Sequence, residues 1–381
     1  MQKGISSFKK KLFSEIISVP EILKPSHLQG LDGLRGVSII IVILAHIFRF
    51  TKIGEYINGD IGVHIFFVIS GFLITTIILK ERLNTGSVNF KNFYLRRSLR
   101  IFPVAYLFIL VLVFLNYFFH LEIKAKSIIS AALYLKNIPS KNITDWYTGH
   151  FWTLSIEEQF YILVPIVLIN NVNNYLKIAF VFIFSMLILE IIILSGVYTI
   201  PLNTLFYKAI FGLINIFGKG TSSILIGSLS SVFIFKGLIN LKTIKVGYYS
   251  SITFFCLAIC LFTISSDFFL NTFSPILFSI IISCIIVLNL TKNNCMVIIL
   301  ENRTLRFIGV LSYSLYIWQQ LFTYDQPWKN SFKYSNSILL NIVALVFVAC
   351  TSYFLYERPF LRLKDNFLPK KESLKRFNNV A

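Results

Sequence analysis

Ten stretches of mostly apolar residues recur along this chain, near 36–52, 61–79, 101–119, 152–169, 178–194, 221–236, 248–265, 272–290, 307–324 and 337–356. A bilayer core of about 30 Å needs roughly 20 such residues per helix, and in lipid only helices or closed barrels satisfy their own backbone. The expected fold is therefore an all-α integral membrane protein, a polytopic bundle of about ten transmembrane helices. Composition agrees: 56% of residues are hydrophobic and 14% charged, against about 25% charged in soluble domains. The segment 221–236 follows Gly218-Lys219-Gly220 and reads as half of a broken helix. No interval between spans is long enough for a soluble domain.

Lys and Arg outnumber Asp and Glu by 36 to 17. In a membrane protein this excess belongs to cytoplasmic loops rather than to nucleic-acid binding. The loop 80–100 carries Lys80, Arg82, Lys91, Arg96, Arg97 and Arg100 against Glu81 alone. Further basic loops follow around Lys242 and Arg303, and the N-terminus holds Lys3, Lys9, Lys10 and Lys11. Both termini are thus expected to be cytoplasmic. The organisation read from this is a tail over 1–30, a membrane-embedded unit over 31–362 and a basic tail over 363–381. Residues 120–151 fit an outer loop poorly because of Lys124, Lys126, Lys136 and Lys141, and their short apolar run 128–135 reads as an interfacial or re-entrant element. The five cysteines form no C-x-x-C pair, and their odd number argues against a full disulfide framework.

Ionisable residues inside apolar runs mark the candidate chemistry, because each costs roughly 2.5–3.5 kcal/mol to insert. Arg35 and His46 share one segment, eleven positions and about 16 Å of helix apart. Arg35 reads either as a snorkelling anchor or as a cation for an anionic ligand. His46 reads as a satisfied polar residue or as a general base. His64 opens the second span at the same level. Two histidines there do not make a metal site, since neither an H-x-x-x-H pair nor a ligand-spaced carboxylate accompanies them. Arg96, Arg97 and Arg100 are ordinary positive-inside decoration or a phosphate site, with Arg96 and Arg100 at i and i+4 on one face. In Phe151-Trp152-Thr153-Leu154-Ser155-Ile156-Glu157-Glu158, Ser155 and Glu158 have capping-box spacing and Trp152 suits an interface. Glu157 has no such explanation, and either orients a histidine or is structural. Tyr313 to Gln320 place many polar groups, Tyr316 and Trp318 among them, on one span. Glu190 stands alone in another span, unexplained.

Together these segments resemble the acyltransferase family 3 of integral membrane proteins, O-acetylases of lipopolysaccharide, peptidoglycan and exopolysaccharide. The family's Arg followed eleven residues later by His is matched by Arg35 and His46. Its G-V-D-x-F-F-V-x-S-G-F run is matched from Gly62 and its F-Y-x-R-R-x-x-R-I-x-P run from Phe93. A W-S-L-x-x-E-x-x-F-Y run follows from Trp152 and an S-Y-x-x-Y-x-W-H run from Ser312. His64 stands where the family often has Asp, and Gln319 where it has His. The resemblance implies transfer of an acyl group, most simply acetyl, from cytoplasmic acyl-CoA (acetyl-CoA) to a glycan hydroxyl, in a bacterial cytoplasmic membrane and without a metal. It implies cofactor binding by Arg35, Arg96, Arg97 and Arg100 and catalysis by His46 with Glu157 and His64. The acceptor would lie by Trp152, Ser155, Tyr316 and Trp318. The expected partners are a glycan or lipid-linked sugar acceptor and membrane lipids, with homo-oligomerisation left open and no nucleic acid. The rival reading is a non-catalytic transporter or flippase of a lipid-linked sugar, which also needs intramembrane Arg, His and Glu.

Overall fold

A computed structural model of the chain describes residues 11–25, 27–138, 145–194, 209, 212–218, 220–239, 247–263, 268–292, 294–329, 331–365 and 367. The first part of the N-terminal tail, nearly all of the C-terminal tail and the residues Lys141, Lys219 and Lys242 lie outside these. The described residues are helical without strands. We number the helices α1 (Gln29–Ile47), α2 (Gly59–Thr85), α3 (Phe90–Phe119), α4 (Ala125–Ala132), α5 (Phe151–Asn170), α6 (Val172–Leu194) and α7 (Thr221–Phe235). The remainder are α8 (Ser250–Thr263), α9 (Phe268–Asn289), α10 (Cys295–Leu300), α11 (Arg303–Trp318), α12 (Ile338–Thr351) and α13 (Arg358–Asp365).

Asparagine sets several of the helix starts. Asn58, Asn89, Asn294 and Asn302 each accept a hydrogen bond from a backbone N–H of the first turn of α2, α3, α10 and α11, satisfying a donor that the helix itself cannot. Seven helices among the described residues are long and apolar enough to cross a membrane. The stretches at 221–236, 248–265 and 307–324 form the shorter helices α7, α8 and α11, of 15, 14 and 16 residues. The break before α7 is visible. A π-helical turn over Ile214–Gly218 precedes Gly220, whose φ of 84° starts α7 from the left-handed region.

The core is built on close helix approach rather than on bulky packing alone. A Cβ on Gly71 of α2 would meet the Ile224 carbonyl oxygen at 1.8 Å, and one on Gly227 of α7 would meet that of Val68 at 2.0 Å. Glycine on both sides lets these backbones touch, the usual device where lipid supplies no hydrophobic drive between helices. Hydroxyls then link the same pair: Thr75 bonds Ser228, and Thr76 bonds Ser231. α11 lies along α1 and is pinned to α3 by the Tyr313 hydroxyl, which donates to the Ile101 carbonyl at 2.6 Å.

Residues Ala125–Ala132 form the short helix α4, and residues 145–150 bring Trp146 against His46. Lys136 is 3.0 Å from Asp145, an ion pair that accounts for a lysine in this segment. Asp145 also accepts from Ser127 and from the Thr148 amide and hydroxyl, the latter two at 2.7 Å. Burial works against the Asp145 carboxylate, yet the Ser127 and Thr148 hydrogen bonds and the Lys136 charge together hold it below the ordinary carboxylate range.

Candidate active site

Three cavities follow one another through the bundle, from the basic end to the His46 end. The first, about 330 Å³, is bounded by Lys80, Arg35, Arg96, Arg97 and Arg100 among others. The second is a throat of about 90 Å³ that shares Arg35, Arg97 and Arg100 with the first. The third, about 840 Å³, shares Val63 and Tyr316 with the throat and is lined by His46. α1 contributes to both ends of this line, Arg35 to the first two cavities and His46 to the third.

The four predicted cations divide into two kinds. Arg96 is buried, with one guanidinium nitrogen 2.7 Å from Glu81 and another donating to the Phe367 carbonyl at 2.7 Å. It braces the wall, tying the start of α3 to the end of α2. Arg97 and Arg100 project into the throat instead, so the convergent pair on α3 is i, i+3 and not Arg96 with Arg100. Arg97 stacks over the Tyr161 ring, 5.6 Å from its centroid. Arg35 joins them from α1, 3.9 Å from Asp32, which is itself 2.8 Å from His27. Three guanidiniums thus surround one narrow space, a disposition that suits phosphate oxygens.

Glu157 lies in the same throat. It accepts a 2.6 Å hydrogen bond from Ser70, so Ser70 works as a donor and leaves the close packing to Gly71. The structure therefore brings Glu157 to the arginines rather than to the imidazole. The capping box at Ser155 is not formed. α5 begins at Phe151, four residues earlier, and puts Ser155 inside the helix. There its hydroxyl donates to the Phe151 carbonyl and accepts from the Lys136 amide.

In the large cavity, His46 has Nδ1 2.7 Å from Gln319 Oε1 and packs against the edge of Trp146, with centroids 5.3 Å apart. Trp152 and Tyr316 line the same space. The Tyr316 hydroxyl bonds Thr153 at 2.7 Å and the His150 carbonyl at 3.2 Å. His64 sits on the neighbouring helix but does not line this cavity. Its Nδ1 is 2.7 Å from Ser223, within a small hydroxyl cluster that includes Ser279. Ser155 and Trp318 line none of the three cavities; Trp318 packs on Phe108. No cluster of three or more His, Cys, Asp or Glu able to hold a metal occurs among the described residues. Glu190, in α6, approaches Gly218 at the helix break, away from the three cavities.

Sequence reasoning passed over three groups that the fold places with His46: His150, Asp60 and Gln320. His150 carried a signal, since it immediately precedes Phe151-Trp152 in the motif already singled out. Asp60 lies one helical turn before His64 and enters the cavity where His64 does not. Gln320 adjoins Gln319, whose place beside the imidazole becomes visible only in the packing of α11 on α1.

The chain is similar to several staphylococcal proteins named as O-acetyltransferases. O-acetyltransferase OatA of Staphylococcus aureus strain MRSA252 is 28% identical over 393 residues, covering 93% of this chain and 61% of its own. OatA of strain NCTC 8325 is 27% identical over 392 residues, covering 92% and 60%. The protein SACOL0978 of strain COL is 29% identical over 312 residues, covering 77% and 50%. The chain thus spans between half and about three fifths of the length of these relatives. No solved structure matches it. The family model described as an acyltransferase domain, Acyl_transf_3, matches residues 28–357, which hold every residue lining the second and third cavities and all but Pro25, His27 and Leu361 of the first; the chain belongs to that acyltransferase family.

Proposed function

We propose that this chain is a membrane-bound O-acyltransferase that moves an acyl group, most simply acetyl, from cytoplasmic acyl-CoA to a hydroxyl of a cell-envelope or exported glycan. One observation carries the reading: a cation-lined cavity leads through a narrow throat to a polar, aromatic-walled cavity that contains an imidazole. Each part suits one part of the reaction. Donor phosphates meet Arg35, Arg97 and Arg100, with Arg96 holding the wall that presents them. The thin pantetheine arm occupies the throat. The sugar ring rests against the aromatic faces of Trp146, Trp152 and Tyr316, with Asp60 as an acceptor for its hydroxyls.

In the transfer, the acceptor oxygen bonds to the thioester carbonyl carbon and the carbon–sulfur bond breaks. The hydroxyl proton passes through His46 to the departing thiolate, leaving free CoA. His46 serves either as the base for this step or as a transient carrier of the acyl group. Glu157 balances the arginine charge in the throat. Names of relatives support acetyl as the group moved, and their organism supports a bacterial setting.

The basic loops support a topology with both termini in the cytoplasm, the His46 end outside and about ten spans in the bacterial cytoplasmic membrane. The shorter helices α7, α8 and α11 then also cross. Residues 31–362 form the catalytic unit between two tails. The throat also weighs against transport of a sugar, since about 90 Å³ holds only a few waters and admits a chain but not a ring. Deletion of the protein, followed by mass spectrometry of surface glycans, tests the reading. Loss of the acetyl mass increment is expected, and an unchanged profile in cells that normally express the protein overturns it.

A further inference from the structure

Among the described residues no carboxylate bonds the His46 ring; an amide does, and that amide is itself held by a second amide. His46 Nδ1 is 2.7 Å from Gln319 Oε1, Gln319 Nε2 donates to Gln320 Oε1 at 2.7 Å, and Gln320 Nε2 donates to the Trp146 carbonyl at 2.7 Å. Both glutamines are buried, at 0% and 3% exposure. Amide orientation has to be argued from the network, and here one end of the chain has no freedom. A backbone carbonyl only accepts, so Gln320 turns its NH₂ group to Trp146. Its oxygen then faces Gln319, whose NH₂ group must donate. Gln319 is left with only an acceptor toward His46. The indole of Trp146 closes the arrangement by donating to the Gln320 carbonyl at 2.8 Å.

We propose that Gln319 and Gln320 are positioning residues that fix the protonation pattern of His46. A ring facing an acceptor at Nδ1 carries its proton there, and the lone pair is on Nε2, the nitrogen left for the cavity. The inference rests on the reading of His46 as the reacting imidazole, and it holds for either role, since both a base and an acyl carrier need that lone pair. An amide also orients the ring without placing a carboxylate beside it, so the imidazole is not biased toward its charged form as it is beside an acid. The other titratable groups around the ring are Arg49 just past the end of α1, Glu55 and Asp60 from the α1–α2 connection and start of α2, Asp145 and His150 from the segment leading into α5, and Tyr316 of α11. None of them takes the Nδ1 position.

The test reads the ring itself. The full chain, labelled with ¹⁵N at histidine and purified in lipid nanodiscs, gives ring nitrogen resonances, with those of His46 identified by their loss in His46→Gln. A neutral ring protonated at Nδ1 is expected. Gln319→Leu is expected to turn this into a tautomer mixture and to lower acetyl transfer from acetyl-CoA about tenfold or more, with KM for acetyl-CoA unchanged. Gln319→Glu restores an acceptor, and its charge is expected to move the acid limb of the pH–rate profile upward. A wild-type ring protonated at Nε2 overturns the relay, as does a Gln319→Leu ring that keeps the single Nδ1-protonated form. Should Gln319→Leu not fold, an unshifted limb in Gln319→Glu overturns it equally. A ring protonated at Nδ1 combined with a fully active His46→Gln variant overturns instead the functional reading and leaves the relay standing.

Discussion

The two ends of the cavity line solve opposite problems. At the basic end, Arg35, Arg97 and Arg100 come from two helices and face a common space, with Glu157 in that space and Asp32 beside Arg35. Charge there is concentrated, and the matching geometry is left for a ligand to complete. At the other end the key ring is held by neutral amides, and its orientation is complete before anything binds. Recognition of an anion tolerates mobile guanidiniums, because attraction falls off slowly with distance. Transfer of a proton does not, because it needs one nitrogen at hydrogen-bond reach. The fold gathers converging charge at one end and an oriented neutral network at the other.

Four experiments would break or sharpen this contrast. The largest effect is expected from His46→Gln, which should lower acyl transfer by roughly 10²–10⁴-fold while calorimetry shows acetyl-CoA bound as in the wild type. Weakened acetyl-CoA binding in that variant would dissolve the division between the two ends. Next, Arg96→Leu should destabilise the protein by about 3–5 kcal/mol, because it strands Glu81 in a buried site. The loss should appear as early thermal unfolding in detergent, and should be largely relieved in the Arg96→Leu, Glu81→Leu double variant. Arg97→Ala and Arg100→Ala should leave unfolding near that of the wild type. Each should weaken acetyl-CoA affinity by about 1.5–3 kcal/mol, the worth of a hydrogen bond to a charged group, and raise KM more than it lowers kcat. If Arg96→Leu and Arg97→Ala behave alike, the distinction between wall and ligand-facing cations is wrong.

The smallest effect concerns the segment over the His46 end. Asp145 holds it through Lys136, Ser127 and Thr148, and its carboxyl is kept below the ordinary range. A folded-state value below the unfolded one means that the stabilisation is complete above the unfolded value and is lost as pH falls through the folded one. Acidification should therefore loosen residues 125–151, seen as faster amide exchange there than at the basic end. Asp145→Asn should show that loosening already near neutral pH and change little on acidification.

Much of the layout could be read in the chain, and the failures have identifiable causes. Seven of the ten expected spans coincide with helices long and apolar enough to cross, because apolar length is a local property. Arg35, Arg97, Arg100 and Glu157 stood out because charge in an apolar run is costly wherever it lies, and the fold gathers these four into one throat. The partner of Arg96 was hidden because Glu81 lies on the preceding helix, and only the turn between α2 and α3 brings them together. Ser155 misled because its capping-box spacing is equally available inside a helix, where the hydroxyl bonds back to Phe151. His64 misled because shared depth says nothing about azimuth: Asp60, one turn away on α2, enters the cavity and His64 turns to Ser223. The Gln319–Gln320 relay depends on a backbone carbonyl from a distant loop, which no local pattern announces.

The throat has one more consequence. A passage open toward both sides of a bilayer is a potential leak, and the ion gradients of a cell are expensive to rebuild. With Arg35, Arg97 and Arg100 outnumbering Glu157 around a space of a few waters, the throat has a net positive lining, an electrostatic barrier to hydronium and alkali ions on the same principle by which arginines in water pores keep protons out. On the reading proposed above, the groups that attract a polyanionic donor would also help keep the membrane electrically tight between turnovers.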